Sequence, residues 1–219
     1  MKRGRSQPKS KRSTGGIRLR VIGGELRGRT VTYHGEAFTR PMRDAVRENL
    51  FNLIGPAIRG TRAFDLFAGT AALAIESISR GATDAVAVER DATAARQIRE
   101  TCRTLGIESR VDVRVGDAFR VAESLCVTST AETPWTVFLC PPYRLWTEEA
   151  DAMRTLVRRV VEHAPPGSVL VVETETSFDV SDLPGDPWDV RDYGANRLGL
   201  HRPAMVCGMG GDDFGPLID

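Results

Sequence analysis

The residues of this 219-residue chain best suited to chemistry are three acids and one short proline-rich run. Asp65 stands inside Phe64-Asp65-Leu66-Phe67-Ala68-Gly69-Thr70-Ala71, an apolar stretch that breaks into a tight turn. Glu89 ends the apolar run Ala85-Val86-Ala87-Val88, and Asp117 stands between Val115-Gly116 and Ala118. One acid in such a place is ordinarily a helix N-cap or a loop residue. Three at the carboxyl ends of consecutive parallel strands converge on the crevice where open α/β sheets bind ligands. There, a carboxylate after the second strand suits the two hydroxyls of a ribose. Together the acids point to an adenosine-containing ligand.

The turn narrows the choice. A pyrophosphate cofactor wants G-x-G-x-x-G and a helix N-terminus facing phosphate. Here Ala68-Gly69-Thr70-Ala71 holds one glycine, and an acid stands just before it. That acid suits a cation, and S-adenosylmethionine carries both an ammonium and a sulfonium. The later apolar run TVFLC delivers Cys140-Pro141-Pro142-Tyr143 to the same edge of the sheet. Two prolines fix the backbone and leave the Pro141 carbonyl outside regular structure. Tyr143 is placed to stack on an unpaired base, or else is a surface tyrosine on an extended loop. Cys102, Cys126 and Cys207 lie far apart, as do His34, His163 and His201. Metal-ligand spacing is therefore missing, and no metal is expected.

The elements that must position these residues follow from periodicity. IRLRVI and RTVTY, joined by GGELRG, read as a hairpin. After Pro41, the spacing of Met42, Val46, Leu50, Leu53 and Ile54 predicts a helix that Gly55-Pro56 stops. From residue 62, strands and helices alternate: AFDLFA, a helix ending at Gly81, AVAVE, a helix over 92–105, VDVRV and a short helix from Ala118. TVFLC, a helix over 147–163 and SVLVVE follow. This rhythm predicts a parallel sheet with helices on both faces. WDVRDY and LGLHRPAMVCG, linked by Gly194-Ala195-Asn196 with no helix between, should pair antiparallel.

The length allows one α/β domain with a short extension. No apolar run approaches bilayer length, and the basic N-terminus lacks the apolar stretch of a secretory signal, so a cytoplasmic protein is expected. The formal net charge of +1 conceals a split. Residues 1–59 carry 14 Lys and Arg against four Asp and Glu, a balance of +10; residues 60–219 carry 16 against 25, a balance of −9. Such asymmetry suggests a nucleic-acid-binding segment on a domain with another task, although a solubilising tail gives the same composition. Residues 1–16 and the closing GGDDFGPLID read as loose tails.

The chain resembles the 16S ribosomal RNA guanine-N2 methyltransferases of the RsmD type over about Ile17 to Cys207. The likeness rests on Arg20-Val21-Ile22-Gly23-Gly24 with Arg27-Gly28-Arg29. It continues in Thr39-Arg40-Pro41 with Arg43 to Asn52, in Phe64 to Gly69, in Ser77 to Gly81 and in Glu89. The N-terminal blocks are specific to that family, whereas the acid-turn block alone says only class I methyltransferase. The resemblance implies a Rossmann-like, seven-stranded, mostly parallel sheet with an antiparallel last strand. It also implies S-adenosylmethionine as donor and 16S RNA or the assembling small subunit as substrate. By motif match, Asp65, Phe67, Ala68, Gly69, Glu89, Asp117 and Ala118 would bind the cofactor. Arg27, Arg29, Arg40, Arg43 and Arg47 would hold RNA, and Cys140, Pro141, Pro142 and Tyr143 would form the catalytic loop. The layout expected is a tail over 1–16, an RNA-binding hairpin and helix over 17–59, and a cofactor domain over 60–219, acting as a monomer.

Two positions depart from the family. Its loop is Asp- or Asn-Pro-Pro-aromatic, whose side chain and first proline carbonyl accept the two N–H bonds of the guanine amine; here a thiol stands instead, a weak acceptor. Losing one charge-assisted hydrogen bond is worth roughly 1.5–3 kcal/mol, about 10- to 150-fold in rate. Ala71 stands where the family usually has a second glycine, and its methyl is expected to crowd the methionine end of the cofactor. Three readings follow: an active guanine-N2 methyltransferase with a modified acceptor, an RNA-binding assembly factor that kept the fold, or a Cys140 nucleophile attacking a pyrimidine ring.

Overall fold

The structure, a computed structural model, describes residues 17–33, 42–128, 133–185 and 187–203. Two short strands, β1 (Ile17–Arg20) and β2 (Thr30–Tyr33), form an antiparallel hairpin, followed by helix α1 (Asp44–Ile54) and a 3-10 turn over Gly55–Ile58. Then β3 (Arg62–Asp65), α2 (Ala72–Ser79), β4 (Asp84–Glu89), α3 (Ala92–Leu105) and β5 (Val111–Val115) alternate. They are followed by α4 (Ala118–Thr128), β6 (Trp135–Leu139), α5 (Leu145–Glu148), α6 (Ala150–His163), β7 (Val169–Glu175), β8 (Asp189–Tyr193) and β9 (Asn196–His201). Seven strands make one sheet in the order β5-β4-β3-β6-β7-β9-β8. The first five are mutually parallel; β9 is antiparallel to both β7 and β8. The winding reverses between β3 and β6, the switch point at which such sheets bind ligands.

Strict alternation builds the two faces. Ala63, Ala85, Ala87, Phe138, Val171 and Leu198 turn toward α1, α2, α3 and the hairpin, whereas Phe64, Val86, Val88, Val137, Leu170 and Val172 turn toward α4 and α6. Both faces of each central strand are covered, which is why those strands read as continuous apolar runs. Leu19, Val21 and Val31 of the hairpin region and Leu50, Phe51 and Ile54 of α1 are buried in the same apolar cluster as the sheet.

A polar clasp fixes the N-terminal region. Glu76 of α2, 1% exposed, accepts from the backbone N–H of Ile22 (2.9 Å) and Gly23 (2.8 Å) and from Arg80 Nε (2.7 Å). Ser79 Oγ accepts from Leu26 N–H at 2.9 Å. Gly24, at φ +77°, passes so close that an added Cβ would lie 1.7 Å from the Ser79 carbonyl oxygen. The Gly23-Gly24 and Ser77-to-Gly81 blocks are thus two halves of one contact.

Two boundaries differ from expectation. The helix predicted over 147–163 is a short α5 and a separate α6, because Tyr143 and Pro142 carbonyls accept from Trp146 and Leu145 and start a turn early. Asn196 is the first residue of β9 rather than part of the turn, paired with both Tyr193 and Glu175.

Candidate active site

The carboxyl ends of β3, β4 and β5 bring Asp65, Glu89 and Asp117 to one edge. Asp65 is 1% exposed and accepts a single hydrogen bond among the described residues, from Ala74 N–H to Oδ2 at 3.2 Å. It therefore substitutes for the missing side-chain cap of α2. Burial pushes its carboxyl up to about 7, and Glu89 adds to the rise while the Ala74 amide opposes it. Glu89 Oε2 accepts from Gly69 N–H (2.9 Å) and Oε1 from Asp91 N–H (2.8 Å), tying the turn to the end of β4. Asp117 caps α4, its Oδ1 accepting from Phe119 and Arg120 N–H. Its Oδ2 and the neighbouring Ala118 N–H take no partner among the described residues.

The turn between Asp65 and α2 leaves room for a ligand. Phe67 packs edge-on against Phe119, with ring centres 6.1 Å apart, and Ala68 N–H donates to the Val88 carbonyl. Gly69 has φ +54°, and a Cβ there would meet nothing within 4 Å. Beyond it, Ala71 takes a left-handed conformation, φ 54°, yet is fully buried and packs in the core. Its methyl is shut into that cluster, and the left-handed backbone carries a cost of its own.

Cys140 follows Leu139, which is registered with Val172, so the next rung sets Cys140 beside Glu173 of β7. Asp65 is registered with Phe138, two residues before Cys140. Asp65, Cys140 and Glu173 therefore line one face of three adjacent strands. Cys140 is half-buried, with the Glu173 backbone N–H donating to Sγ. Burial, then the carboxylates of Glu173 and Asp65, pushes it well above the ordinary thiol range. A thiol held in its protonated form is a poor nucleophile, which removes support for attack on a pyrimidine ring.

Pro141 is buried and its carbonyl takes no hydrogen bond among the described residues, whereas the Pro142 carbonyl accepts from Leu145 N–H. Tyr143 Oη donates to Glu173 Oε1 at 3.1 Å. Asn196 Nδ2 donates to the same Oε1 (2.6 Å) and to Tyr143 Oη (2.5 Å), and Arg43 Nη2 donates to Asn196 Oδ1 (2.8 Å). Burial raises the Tyr143 phenol, with Glu173 adding to it. Burial also raises the Glu173 carboxyl, with Asn196, Tyr143 and Arg43 acting against the rise. Glu173 and Asn196 were missed by the sequence reading. Glu173 ends an apolar strand just as Glu89 does, so a signal existed; Asn196 gave none.

The arginines divide. Arg27 is exposed and has no partner among the described residues; Arg29 is exposed, with Nη2 on the Thr104 carbonyl; Arg43 is exposed but committed to Asn196. Arg40 lies outside the described residues. Arg47 corrects the expectation of RNA contact: it is 1% exposed, with Nη2 on the Arg20 carbonyl (2.7 Å) and Asp44 (3.0 Å). Its position on the apolar stripe of α1 forces the side chain inward. Among the described residues no helix is long and apolar enough to cross a membrane, and no cluster suits a metal ion.

A family model described as conserved hypothetical protein 95 matches residues 19–201. YlbH of Bacillus subtilis, provisionally named an rRNA methyltransferase, is 33% identical over 169 residues, 77% of this chain and 89% of that protein. The ribosomal RNA small subunit methyltransferase D of Escherichia coli is 36% identical over 134 residues, 60% of this chain and 63% of that protein. The structure of an E. coli protein provisionally named methyltransferase yhhF shares 25% identity with a TM-score of 0.65, covering 85% of this chain and 98% of that one. The seven-stranded sheet, the acids at its switch point and these matches agree: the chain belongs to the RsmD-type family of rRNA methyltransferases.

Proposed function

We propose that this chain methylates the N2 amine of a guanine in small-subunit ribosomal RNA, with S-adenosylmethionine as donor. The observation that carries the reading is the row of Asp65, Cys140 and Glu173 across β3, β6 and β7, beside a turn with open space at Gly69. Asp65 is nearly dehydrated and holds one hydrogen bond, so it lacks a counter-charge that a cationic ligand restores. The residues therefore fit S-adenosylmethionine, which when bound supplies an electrophilic methyl group on a sulfonium. Asp65 faces its cationic end, Glu89 has lone pairs left for ribose hydroxyls, and Asp117 with the Ala118 N–H offers the acceptor and donor that an adenine edge takes.

Tyr143 gives the target base a flat surface, and the bonds from its hydroxyl to Glu173 and from Asn196 hold the ring still. The free Pro141 carbonyl accepts one N–H of the amine and helps localise its lone pair. Arg27, Arg29 and Arg40 contact phosphates, which gives affinity and register rather than base identity. The site favours an enzyme over a binding module, because Asp65 and Glu173 are buried at an energetic cost that RNA binding alone does not repay. The setting is cytoplasmic, on an assembling small subunit, with the chain acting as a monomer. Purified protein given methyl-labelled donor and small-subunit RNA should yield N2-methylguanosine on nuclease digestion. Cofactor binding in calorimetry without any transfer to guanine would overturn the reading.

A further inference from the structure

We propose that Glu173 is a catalytic residue: its carboxylate accepts the second N–H of the guanine amine, the task that the Cys140 thiol performs poorly. The inference rests on the guanine-N2 reading above and names a residue on a different strand from the motif loop. Three observations carry it. First, the thiol is engaged, since the half-buried Sγ takes the Glu173 backbone N–H. Second, the register puts the Glu173 side chain on the same face as Cys140 and one rung across from it, at the carboxyl end of the adjacent strand. Third, the two carboxylate oxygens are unequal. Oε1 accepts from both Tyr143 and Asn196, whereas Oε2 takes no hydrogen bond among the described residues, in a residue that keeps 8% of its surface exposed.

Glu173 is thus clamped by one oxygen to the ring on which the base would stack, with the other oxygen free at its edge. Asp65 is the other candidate, but it lies under α2 with its oxygen on Ala74 N–H, on the turn side of Cys140. The groups facing Glu173 are Arg43 at the N-cap of α1, Cys140 and Tyr143 from the loop after β6, and Asn196 from β9; Arg43, Asn196 and Tyr143 all favour its charged form. In the step, the N2 nitrogen bonds to the methyl carbon as the carbon–sulfur bond breaks with its electron pair on sulfur. The surplus N2 proton passes to Glu173 Oε2 and then to solvent, so charge and atoms balance.

Glu173→Gln tests this without disturbing the clamp, because the amide oxygen keeps the bonds to Tyr143 and Asn196 while an NH2 group replaces the free acceptor. Expected are a fall in kcat of about 10- to 100-fold, a melting temperature and a cofactor Kd unchanged within error, and loss of the preference for guanosine- over inosine-containing RNA in cofactor-free binding. In a Cys140→Asp background the same change should cost less than about threefold. Glu173→Asp, which keeps the charge, should retain more activity than Glu173→Gln. Full kcat in Glu173→Gln, an equal loss in the Cys140→Asp background, or a better Gln than Asp variant would each overturn the proposal. If the unaltered chain transfers no methyl to guanine, the proposed function falls instead, and that result is distinguishable from these.

Discussion

Glu76 and Asp65 are both 1% exposed, and both reach toward or from helix α2, yet they do opposite work. Glu76 receives three donors, two backbone amides and the Arg80 guanidinium. Asp65 receives one, and its carboxyl rises to about 7. Burial is the same; satisfaction is not. A carboxylate that is buried and fully bonded holds two parts of the chain together, whereas one that is buried and under-bonded is poised for a ligand. Glu173, with one oxygen saturated and one free, stands between them.

The largest test breaks the satisfied member. Glu76→Ala leaves the Ile22 and Gly23 amides and Arg80 without their acceptor, and should cost about 3–5 kcal/mol in urea unfolding. The loss should appear as global unfolding, because the hairpin shares its apolar cluster with the sheet.

The under-satisfied member should respond with the opposite sign and with pH. Between pH 4 and 7 the folded chain keeps the Asp65 proton that the unfolded chain has released. Its contribution to stability is therefore full below about pH 4 and is lost as pH rises through about 7. Asp65 faces Ala74 N–H, Glu89 and Cys140, none of which neutralises a carboxylate as a salt bridge would. Asp65→Asn should flatten the stability profile across that window, a relative gain of roughly 2–4 kcal/mol at pH 8 in the cofactor-free protein. The same variant should weaken cofactor binding at pH 8 by at least about tenfold in calorimetry, since the cation loses its counter-charge. Equal slopes for both proteins would dissolve the distinction between the two carboxylates.

The same division sorts the arginines. Arg27 is exposed and without a partner among the described residues, whereas Arg47 is interior. Arg27→Ala should leave the melting temperature unchanged and reduce the slope of log K against log salt for RNA binding by about 0.7–1. Arg47→Met should change the melting temperature and leave that slope alone. A slope change in Arg47→Met would return it to the RNA surface.

These contrasts also mark what the sequence made legible. The strand–helix alternation, the antiparallel close and the convergence of Asp65, Glu89 and Asp117 are local patterns, and strand ends in a doubly wound sheet have only one crevice to face. The mutual docking of Gly23-Gly24 with Ser79 was invisible, because partners more than 50 residues apart leave no spacing to read. Arg47 was misread for a related reason: charge suggested RNA, while helical phase, with buried Val46, Leu50, Phe51 and Ile54 around it, already put it inside. Asn196 reached Glu173 only through the register of β9, which no turn residue announces.

The smallest expected effect concerns Ala71, the only non-glycine residue at positive φ among the described residues. Two consequences of its methyl oppose each other. The left-handed backbone costs a residue with a Cβ roughly 1–2 kcal/mol, so glycine should relieve strain. Against that, Ala71 is 0% exposed, and deleting a buried methyl costs about 0.8 kcal/mol, with a further 0.5–1 kcal/mol for the freedom of an unfolded glycine. Ala71→Gly should therefore move stability by less than about 1 kcal/mol. Because the methyl is fully buried in the apolar cluster, cofactor Kd should stay within about twofold. Gly69→Ala, two residues earlier, supplies the contrast: its new methyl enters open space, and cofactor binding should fall by more than stability does. A tighter cofactor in Ala71→Gly would show instead that the methyl reaches the cleft, and that the departure at this position, not only the one at Cys140, sets the activity.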